Sequence, residues 1–108
     1  MKSRDKGNAY ELQIINKFKD RGWTEACSSR SESKRLDDAG VDICYTDPFQ
    51  VQCKAVENLG SAHKTLEKMP KGKINLVFHK KNRQGTVVSM TEEDFFKLIG
   101  ETCVMKTI

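Results

Sequence analysis

Apolar and polar residues alternate along the chain with two different periods. Between Asn8 and Arg21 the apolar residues return every three or four positions, and Gly22 follows where a helix C-cap belongs, so we predict a helix there. Two further segments keep this spacing, and five others alternate with the two-residue period of strands. The further predicted helices span 59–69 and 91–100, and the predicted strands span 23–28, 41–46, 49–55, 74–79 and 86–90.

Turn and cap residues separate these elements. Asp47-Pro48 is predicted to turn the chain between two strands, which makes them a hairpin. Residues 29–35 are polar throughout, show no periodicity and are predicted to form a loop. The order α-β-β-β-α-β-β-α predicts a single α/β domain with a mixed central sheet flanked by helices. In the last helix, Thr91 is predicted to cap the amide of Asp94, and the residues predicted to face the core are Phe95, Phe96, Leu98 and Ile99.

Length and composition narrow the class of protein. A chain of 108 residues with 37% hydrophobic and 31% charged residues fits one globular domain. Its longest apolar runs are three residues, which excludes a transmembrane helix. No apolar segment follows the charged N-terminus, so we expect a cytoplasmic protein. Without the CxxC spacing of zinc sites, the four cysteines are expected to be reduced thiols: Cys27, Cys44, Cys53 and Cys103.

Charge is unevenly distributed along the chain. The total is +4, but the net charge is +4 over residues 1–35, −4 over 36–60, +6 over 61–85 and −2 over 86–108. The two basic segments suit contact with a polyanion, and the acidic segment between them suits a site that holds cations. Nucleic acid is the natural polyanion. Charge alone leaves open the alternative that the lysines only solvate a surface.

Glu11 lies in the middle of the apolar face of the first predicted helix. At about 100° per residue it falls between Ile15 and Phe18, with Ile14 and Leu12 on either side. A carboxylate desolvated alone is strongly unfavourable, so a cation or a hydrogen-bond partner is implied. The alternative is that Glu11 complements the positive N-terminal end of the helix and reaches solvent.

A second group of polar residues lies on the predicted hairpin. Asp42 stands in an otherwise apolar strand, and Gln52 and Lys54 share one face of the next strand. The hairpin places the carboxylate across from the amide and the ammonium, which is an arrangement suited to hydrolysis. Carboxylate and amide oxygens suit Mg²⁺, which keeps several waters and leaves room for a substrate phosphate. The alternative is a structural salt bridge between Asp42 and Lys54.

Several stretches of the sequence together resemble a known family. The stretches are Lys6-Gly7-Asn8-Ala9-Tyr10-Glu11, Gly40-Val41-Asp42-Ile43 and Gln52-Cys53-Lys54. They resemble the PD-(D/E)XK nuclease superfamily. With Arg21-Gly22-Trp23 and the basic, serine-rich segment 28–35, they are similar to archaeal-type Holliday junction resolvases and their phage relatives. The resemblance covers residues 6–57. It implies a restriction-endonuclease-like fold for a single nuclease domain over residues 1–108, with the resolvase-like core at about residues 6–90.

This resemblance also implies a role for each residue of the site. Lys54 would orient the attacking water or stabilise the transition state, and Ser31 or Ser33 would contact the scissile phosphate. Asp42 would bind the metal directly, and Glu11 directly or through water. The full set of metal ligands implied is Glu11, Asp42, Gln52 and the backbone carbonyl of Cys53.

Two positions depart from the family pattern. Val41 stands where the family usually has proline, and Gln52 stands where it usually has a carboxylate. Glutamine offers an oxygen ligand but no negative charge, so weaker metal binding is expected. A catalytically inactive DNA-binding module therefore stays open as an alternative.

Taken together, these features predict a Mg²⁺-dependent endonuclease, with Mn²⁺ as a substitute ion, that resolves four-way DNA junctions. The junction substrate and a homodimeric assembly follow from the resemblance, and ordinary or damaged duplex DNA is the alternative substrate. No membrane partner is expected. Contacts to phosphates without reading of bases are expected from Lys2, Arg4, Lys6, Arg30, Lys34, Arg35, Lys64 and Lys71.

Overall fold

A computed structural model describes residues 3–55, 61–81 and 83–102, with side chains from Asn8 to Gly100 within these ranges. The elements follow the predicted order, except that two short helices take the place of the predicted loop. The helices are α1 (Ser3–Asp20), α2 (Ser29–Glu32), α3 (Lys34–Asp38), α4 (Ala62–Lys68) and α5 (Glu92–Thr102). The strands are β1 (Cys27–Ser28), β2 (Ile43–Cys44), β3 (Phe49–Lys54), β4 (Ile74–Lys81) and β5 (Gly85–Ser89).

The strands form one mixed sheet in the order β1-β2-β3-β4-β5. β3 and β4 are parallel, with Phe49 opposite Ile74 and Lys54 opposite His79, and the other neighbouring pairs are antiparallel. A parallel pair needs a crossover connection, and α4 lies within it. The prediction of an α/β domain with a mixed sheet is confirmed. None of the helices in the described ranges is long and apolar enough to cross a membrane.

α1 packs on one face of the sheet. Tyr10, Ile14 and Ile15 are buried and form a cluster that includes Val51 of β3. Leu12, which contributed to the apolar spacing in the sequence, is 57% exposed. The helix contacts the sheet along one stripe only, and Leu12 lies outside that stripe.

The end of α1 is fixed to the sheet by aromatic rings. Gly22 has a φ of +113° and its N–H donates to Lys19 O at 3.2 Å, which confirms the predicted C-cap. Trp23 N–H donates to Phe18 O at 3.1 Å, and the two rings meet edge to face with centroids 5.4 Å apart. Trp23 also lies 6.1 Å from the ring of Phe49 on β3.

The opposite face of the sheet is covered by α3 and α4. α4 begins after Ser61, whose Oγ accepts the Lys64 N–H at 3.3 Å, and the predicted start at residue 59 lies outside the described residues. The cluster on this face consists of Leu36, Val41, Leu66, Met69 and Val77. Both faces of the central strands are therefore packed, as expected for the parallel part of a sheet.

A buried polar group joins β3, β4 and α5. Gln50 Nε2 donates to Asn75 Oδ1 at 2.7 Å and to Pro70 O at 2.9 Å. The Asn75 N–H donates to Asp94 Oδ2 at 3.3 Å. Thr91 Oγ1 accepts the Asp94 N–H at 3.1 Å, which confirms the predicted cap. Asp94 therefore takes part in the cap of α5 and connects the first turn of this helix to the sheet.

The predicted loop over residues 29–35 is wrong, because this segment forms α2 and the first two residues of α3. Ser28 Oγ accepts the Arg30 N–H at 3.3 Å and Ser33 Oγ accepts the Leu36 N–H at 3.3 Å, so a serine caps each helix. Helices of four and five residues are too short to show an apolar period, which is why the pattern did not indicate them.

Two predicted strands are shorter than their patterns indicate. β1 is limited to two residues because the Ala26 N–H donates to Trp23 O at 3.1 Å in a turn. β2 ends at Cys44 because Tyr45 takes a φ of +61°, which lies outside the strand region.

The cysteines of these strands are close together. Cys27 lies opposite Cys44 in the β1–β2 pair, and both are free thiols, as is Cys53. Burial raises the pKa of the Cys44 thiol, and the neighbouring Cys27 adds to this shift. Cys103 lies outside the described residues.

α5 directs aromatic side chains to solvent. Phe95 is 45% exposed and Phe96 is 56% exposed, so the prediction that they face the core is wrong. Leu98 and Ile99 are half-buried. Consecutive helical residues are about 100° apart, so an apolar set that includes 95, 96, 98 and 99 is wider than the single stripe that packs against the sheet.

Tyr10 carries a buried hydroxyl for which the structure shows no hydrogen-bond partner. The residue is 2% exposed, and burial, with the nearby Cys53, raises the pKa of Tyr10 to about 12. We expect Tyr10→Phe to maintain the free energy of unfolding or raise it by up to about 1 kcal/mol, because the variant removes an unsatisfied polar atom. Urea denaturation followed by circular dichroism measures the change. Tyr45→Phe, at an exposed tyrosine, is the control, and a loss of more than about 1 kcal/mol in Tyr10→Phe alone contradicts this expectation.

Candidate active site

β2 and β3 bring Asp42 to the end of β3. Ile43 lies opposite Val51 in the antiparallel pair, and the Asp42 N–H donates to Val51 O at 2.7 Å. The side chain of Asp42 turns to the same strand, where its Oδ2 accepts the Cys53 N–H at 2.8 Å. The predicted placement of Asp42 across from residues 52–54 is therefore confirmed.

Gln52 and Lys54 lie two residues apart on β3 and share one side of the strand. In the amide orientation that satisfies its neighbours, Gln52 Oε1 accepts from Lys54 Nζ at 3.2 Å and Nε2 donates to Gly40 O at 3.3 Å. Gly40 has a φ of +89°, and a Cβ there would lie 3.4 Å from the amide of Gln52. The backbone conformation of Gly40, rather than a lack of space, therefore favours glycine at this position, and a neutral amide holds the Lys54 ammonium.

The described residues do not form the alternative salt bridge between Asp42 and Lys54. Lys54 still lowers the pKa of the Asp42 carboxyl through space. The ammonium therefore stays close enough to influence Asp42 while its hydrogen bond goes to Gln52. The ion pairs of the described residues are Arg30–Glu11, Lys34–Asp38 and Lys73–Asp47.

Glu11 is buried on α1 and paired with an arginine. It is 7% exposed, and its Oε1 lies 3.1 Å from Arg30 Nη2 of α2. Arg30 Nη1 also donates to Asn8 Oδ1, one turn before Glu11 on α1. The prediction of a buried carboxylate with a compensating partner is confirmed, and the alternative of a solvent-directed Glu11 is wrong.

Burial makes both carboxylates harder to ionise. Desolvation raises the pKa of Glu11, and Asp42 and Asp37 add to this, while the Ser28 hydroxyl and Arg30 oppose it. Desolvation likewise raises the pKa of Asp42, against the Cys53 N–H and the Lys54 ammonium. The protein cations therefore compensate these carboxylates only in part, and an added cation would be favourable here.

α2 connects α1 to Asp42 and the residues just before β2. The Ser29 N–H donates to Asp42 O at 2.9 Å, and the buried Ser29 hydroxyl donates to Val41 O. Ser28 lowers the pKa of Glu11 through a side-chain hydrogen bond. The same short segment therefore positions both acidic residues.

The two serines predicted to contact phosphate have different partners. Ser31 is exposed, and its hydroxyl donates to Ser28 O at 2.9 Å. Ser33 Oγ accepts the Leu36 N–H as the cap of α3, which leaves its hydroxyl proton available as a donor. Ser31 lies on α2 together with Arg30, and Ser33 follows directly after this helix.

The residues predicted to bind DNA are distributed over several elements. Lys2 lies outside the described residues, and Arg4 and Lys6 belong to α1 in a stretch whose side chains are not described. Arg30 pairs with Glu11 and Lys34 pairs with Asp38 at 3.1 Å. The remaining three are exposed, namely Arg35 on α3, Lys64 on α4 and Lys71 after α4.

Sequence patterns missed three residues that act on the site: Asn8, Ser28 and Asp37. Asn8 and Ser28 interact with Arg30 and Glu11 respectively. Asp37 on α3 raises the pKa of both Glu11 and Asp42. Asp37 was visible in the sequence only as part of the acidic segment. Asn8 and Ser28 lie within the stretches that carry the family resemblance, but no role was assigned to either of them, because their contacts depend on the fold of α2.

The carboxylates fit a magnesium ion in kind and number. Among the described residues no three His, Cys, Asp or Glu side chains are grouped as a metal site. Mg²⁺ needs only one or two carboxylates because it retains waters, and Asp42 and Glu11 provide two. In the amide orientation that satisfies its neighbours, the Gln52 oxygen accepts from Lys54 Nζ, so Gln52 would bind an ion only through the second lone pair of this oxygen or with the amide reversed.

Comparison with known proteins gives no match. No family model and no curated protein matches the sequence, and no solved structure matches the fold.

The raised pKa of Asp42 predicts a pH-dependent gain in stability for Asp42→Asn. A folded-state pKa above the ordinary value of 3.8 contributes stability below that value, and this contribution is lost as the pH rises through the folded-state pKa. We expect Asp42→Asn to melt at a higher temperature than the wild type near neutral pH, with the difference shrinking as the pH falls. An asparagine oxygen can still accept the Cys53 N–H.

Melting temperatures measured by circular dichroism across this pH range test the prediction. Asp38→Asn removes an exposed carboxylate on α3 and is the control. A lower melting temperature for Asp42→Asn at neutral pH, or a difference independent of pH, contradicts the expectation.

Proposed function

We propose that this protein is a Mg²⁺-dependent endonuclease with a restriction-endonuclease-like fold, which cuts DNA four-way junctions by paired phosphodiester hydrolysis. One observation carries the proposal. Asp42, immediately before β2, is bonded to the end of β3, where Gln52 and Lys54 lie, and its charge raises the pKa of the buried Glu11 of α1. Two carboxylates and an ammonium at one end of a mixed sheet match the pattern by which the sequence resembles PD-(D/E)XK nucleases.

Asp42 and Glu11 would hold the metal ion, with the Cys53 carbonyl as a further oxygen ligand. Once bound, Mg²⁺ neutralises charge on the scissile phosphate and acts as a Lewis acid. The Cys53 N–H fixes the Asp42 carboxylate through Oδ2, and among the described residues no hydrogen bond reaches its other oxygen. The carboxylate is therefore oriented before substrate arrives.

Lys54 supplies the positive charge of the protein at the reaction centre. Its ammonium would orient the attacking water and stabilise the negative charge that develops on the phosphate as one P–O bond forms and another breaks. Gln52 holds this ammonium at 3.2 Å without neutralising it, whereas a carboxylate at this position would form an ion pair with it. The departure from the family pattern thus removes a negative charge from the site, and residue 52 does not form an ion pair with Lys54.

Arg30 and the exposed basic residues would contact the phosphates of the DNA. Arg30 is 46% exposed while paired with Glu11, so its guanidinium reaches both the site and solvent. Phosphate contacts position a duplex without reading its sequence, which suits recognition of a branched shape. We also propose a cytoplasmic location. The free thiols of Cys27, Cys44 and Cys53 agree with such a reducing compartment.

A second candidate function is DNA binding without cleavage. Gln52 favours it, because its oxygen is bonded to Lys54 and it adds no negative charge for a metal ion. In this case Glu11, Arg30, Asp42 and Lys54 form a purely structural charge network.

Cleavage of labelled four-way junction and of matched linear duplex in Mg²⁺ separates these candidates. We expect symmetric paired cuts in the junction only, and a loss of about 10²-fold or more in rate for Asp42→Asn, because the variant removes a charged group that acts at the transition state. Asp38→Asn is the control with unchanged activity.

The other outcomes decide between the candidates. Tight junction binding with no cutting by either protein supports the DNA-binding module. Equal cutting by the wild type and Asp42→Asn contradicts the proposed site, and cutting of both substrates at equal rates contradicts the junction preference.

A further inference from the structure

β5 forms one edge of the sheet and is largely exposed. Within the described residues it pairs only with β4. Val87 is 56% exposed and Val88 is 50% exposed, and consecutive strand residues point to opposite faces. The edge therefore presents valine on both faces, together with backbone groups that β4 does not use.

This edge lacks the features that normally protect edge strands. Soluble proteins usually place charges, proline or a bulge on a free edge to prevent pairing with another chain. β5 has the sequence Gly-Thr-Val-Val-Ser, with no charge and no proline. The opposite edge, β1, is only two residues long. Among the described strands, β5 is the edge suited to extension of the sheet.

We propose that β5 pairs with β5 of a second copy of this chain, antiparallel and centred on Val87, so that two sheets join into one. In this register Val87 lies opposite Val87 of the second copy, Thr86 opposite Val88, and Gly85 opposite Ser89. The inference rests on the proposed function in one respect: paired cutting requires a homodimer, and the β5 pair would be its interface.

The strand is complementary to itself in this register. A two-fold interface needs a surface that matches its own copy. Antiparallel pairing of β5 places β-branched residues opposite one another at 86, 87 and 88, which is a favourable cross-strand combination, and brings no like charges together.

Charge beyond the strand favours the antiparallel direction. The chain before β5 is basic, with Lys80, Lys81 and Arg83, and the chain after β5 is acidic, with Glu92 and Glu93 at the start of α5. An antiparallel pair places the basic end of each copy beside the acidic end of the other. A parallel pair would place like charges together at both ends.

α5 supplies further apolar surface next to the edge. A pair of five-residue strands is small for a stable dimer. Phe95 and Phe96 lie in the first turn of the helix that follows β5 after two residues, and both are about half exposed. Their rings contact each other at 5.3 Å. A second copy seated on β5 would cover apolar side chains that this chain leaves in solvent.

Sedimentation velocity of the full chain, without DNA or metal, tests the interface. We expect a dimer for the wild type and at least a tenfold weaker association for Val87→Lys, because the two lysines would face each other. Leu12→Lys changes a side chain with a similar exposure of 57% on α1 and should remain dimeric. Circular dichroism confirms that each variant folds. A monomeric wild type, or equal association of both variants, overturns the proposal.

Oxidative cross-linking tests the register. Opposed residues in an antiparallel pair have Cα atoms about 4.5–5.5 Å apart, within reach of a disulfide. Val87→Cys should therefore form a covalent dimer when oxidised glutathione accepts the two electrons. Thr86→Cys should not form this disulfide. Residue 86 lies opposite residue 88 of the second copy, so the Cα atoms of the two residues 86 are more than about 7 Å apart.

The wild type, with its native cysteines, gives the background of the cross-linking test. Equal cross-linking of both variants contradicts the register, and a dimer in which Val87→Cys does not cross-link places the interface elsewhere. The proposed function fails separately: a dimer that does not cut DNA contradicts only the nuclease, and a monomer that cuts contradicts only the interface.

Discussion

The buried carboxylate of Glu11 is the constraint on which the candidate site depends. An ionised group that is 7% exposed needs a partner, and Arg30 provides it at 3.1 Å. This contact requires α2 to lie against α1, which explains why a polar segment folds into a capped helix. The same helix is bonded to Asp42 O through the Ser29 N–H. Neutralising one acid thus positions the second.

The pairing of the strands positions the other residues of the site. Because β2 and β3 are antiparallel, the start of one strand lies beside the end of the other, and Asp42 reaches the Cys53 N–H. The alternation along β3 directs Gln52 and Lys54 to one side and the Cys53 side chain to the other. Burial raises the pKa of both acids. Such incompletely compensated charge lowers stability, as is common for residues kept for function.

Sequence patterns predicted the long elements and the acidic residues, and they failed where contacts depend on the tertiary fold. Glu11 stood out because a charge interrupts an apolar stripe, and Asp42 because it interrupts an apolar strand. α2 and α3 are too short to show an apolar period, and the serine caps at which they start act over one turn only. The Gln52–Lys54 bond depends on side-chain conformations that a two-residue period does not specify. The sequence predicts Phe95 and Phe96 in the core because an apolar residue gives the same signal whether it is buried or exposed.

Asp42 and Glu11 are proposed to form a divalent-cation site at the end of β3. Paramagnetic broadening by Mn²⁺ in ¹⁵N–¹H spectra tests it directly, at ion concentrations below that of the protein. We expect selective loss of the Cys53 and Glu11 amide signals in the wild type, and little loss at the same concentration in Asp42→Asn. Broadening that is equal in both proteins, or concentrated on other residues, would contradict it.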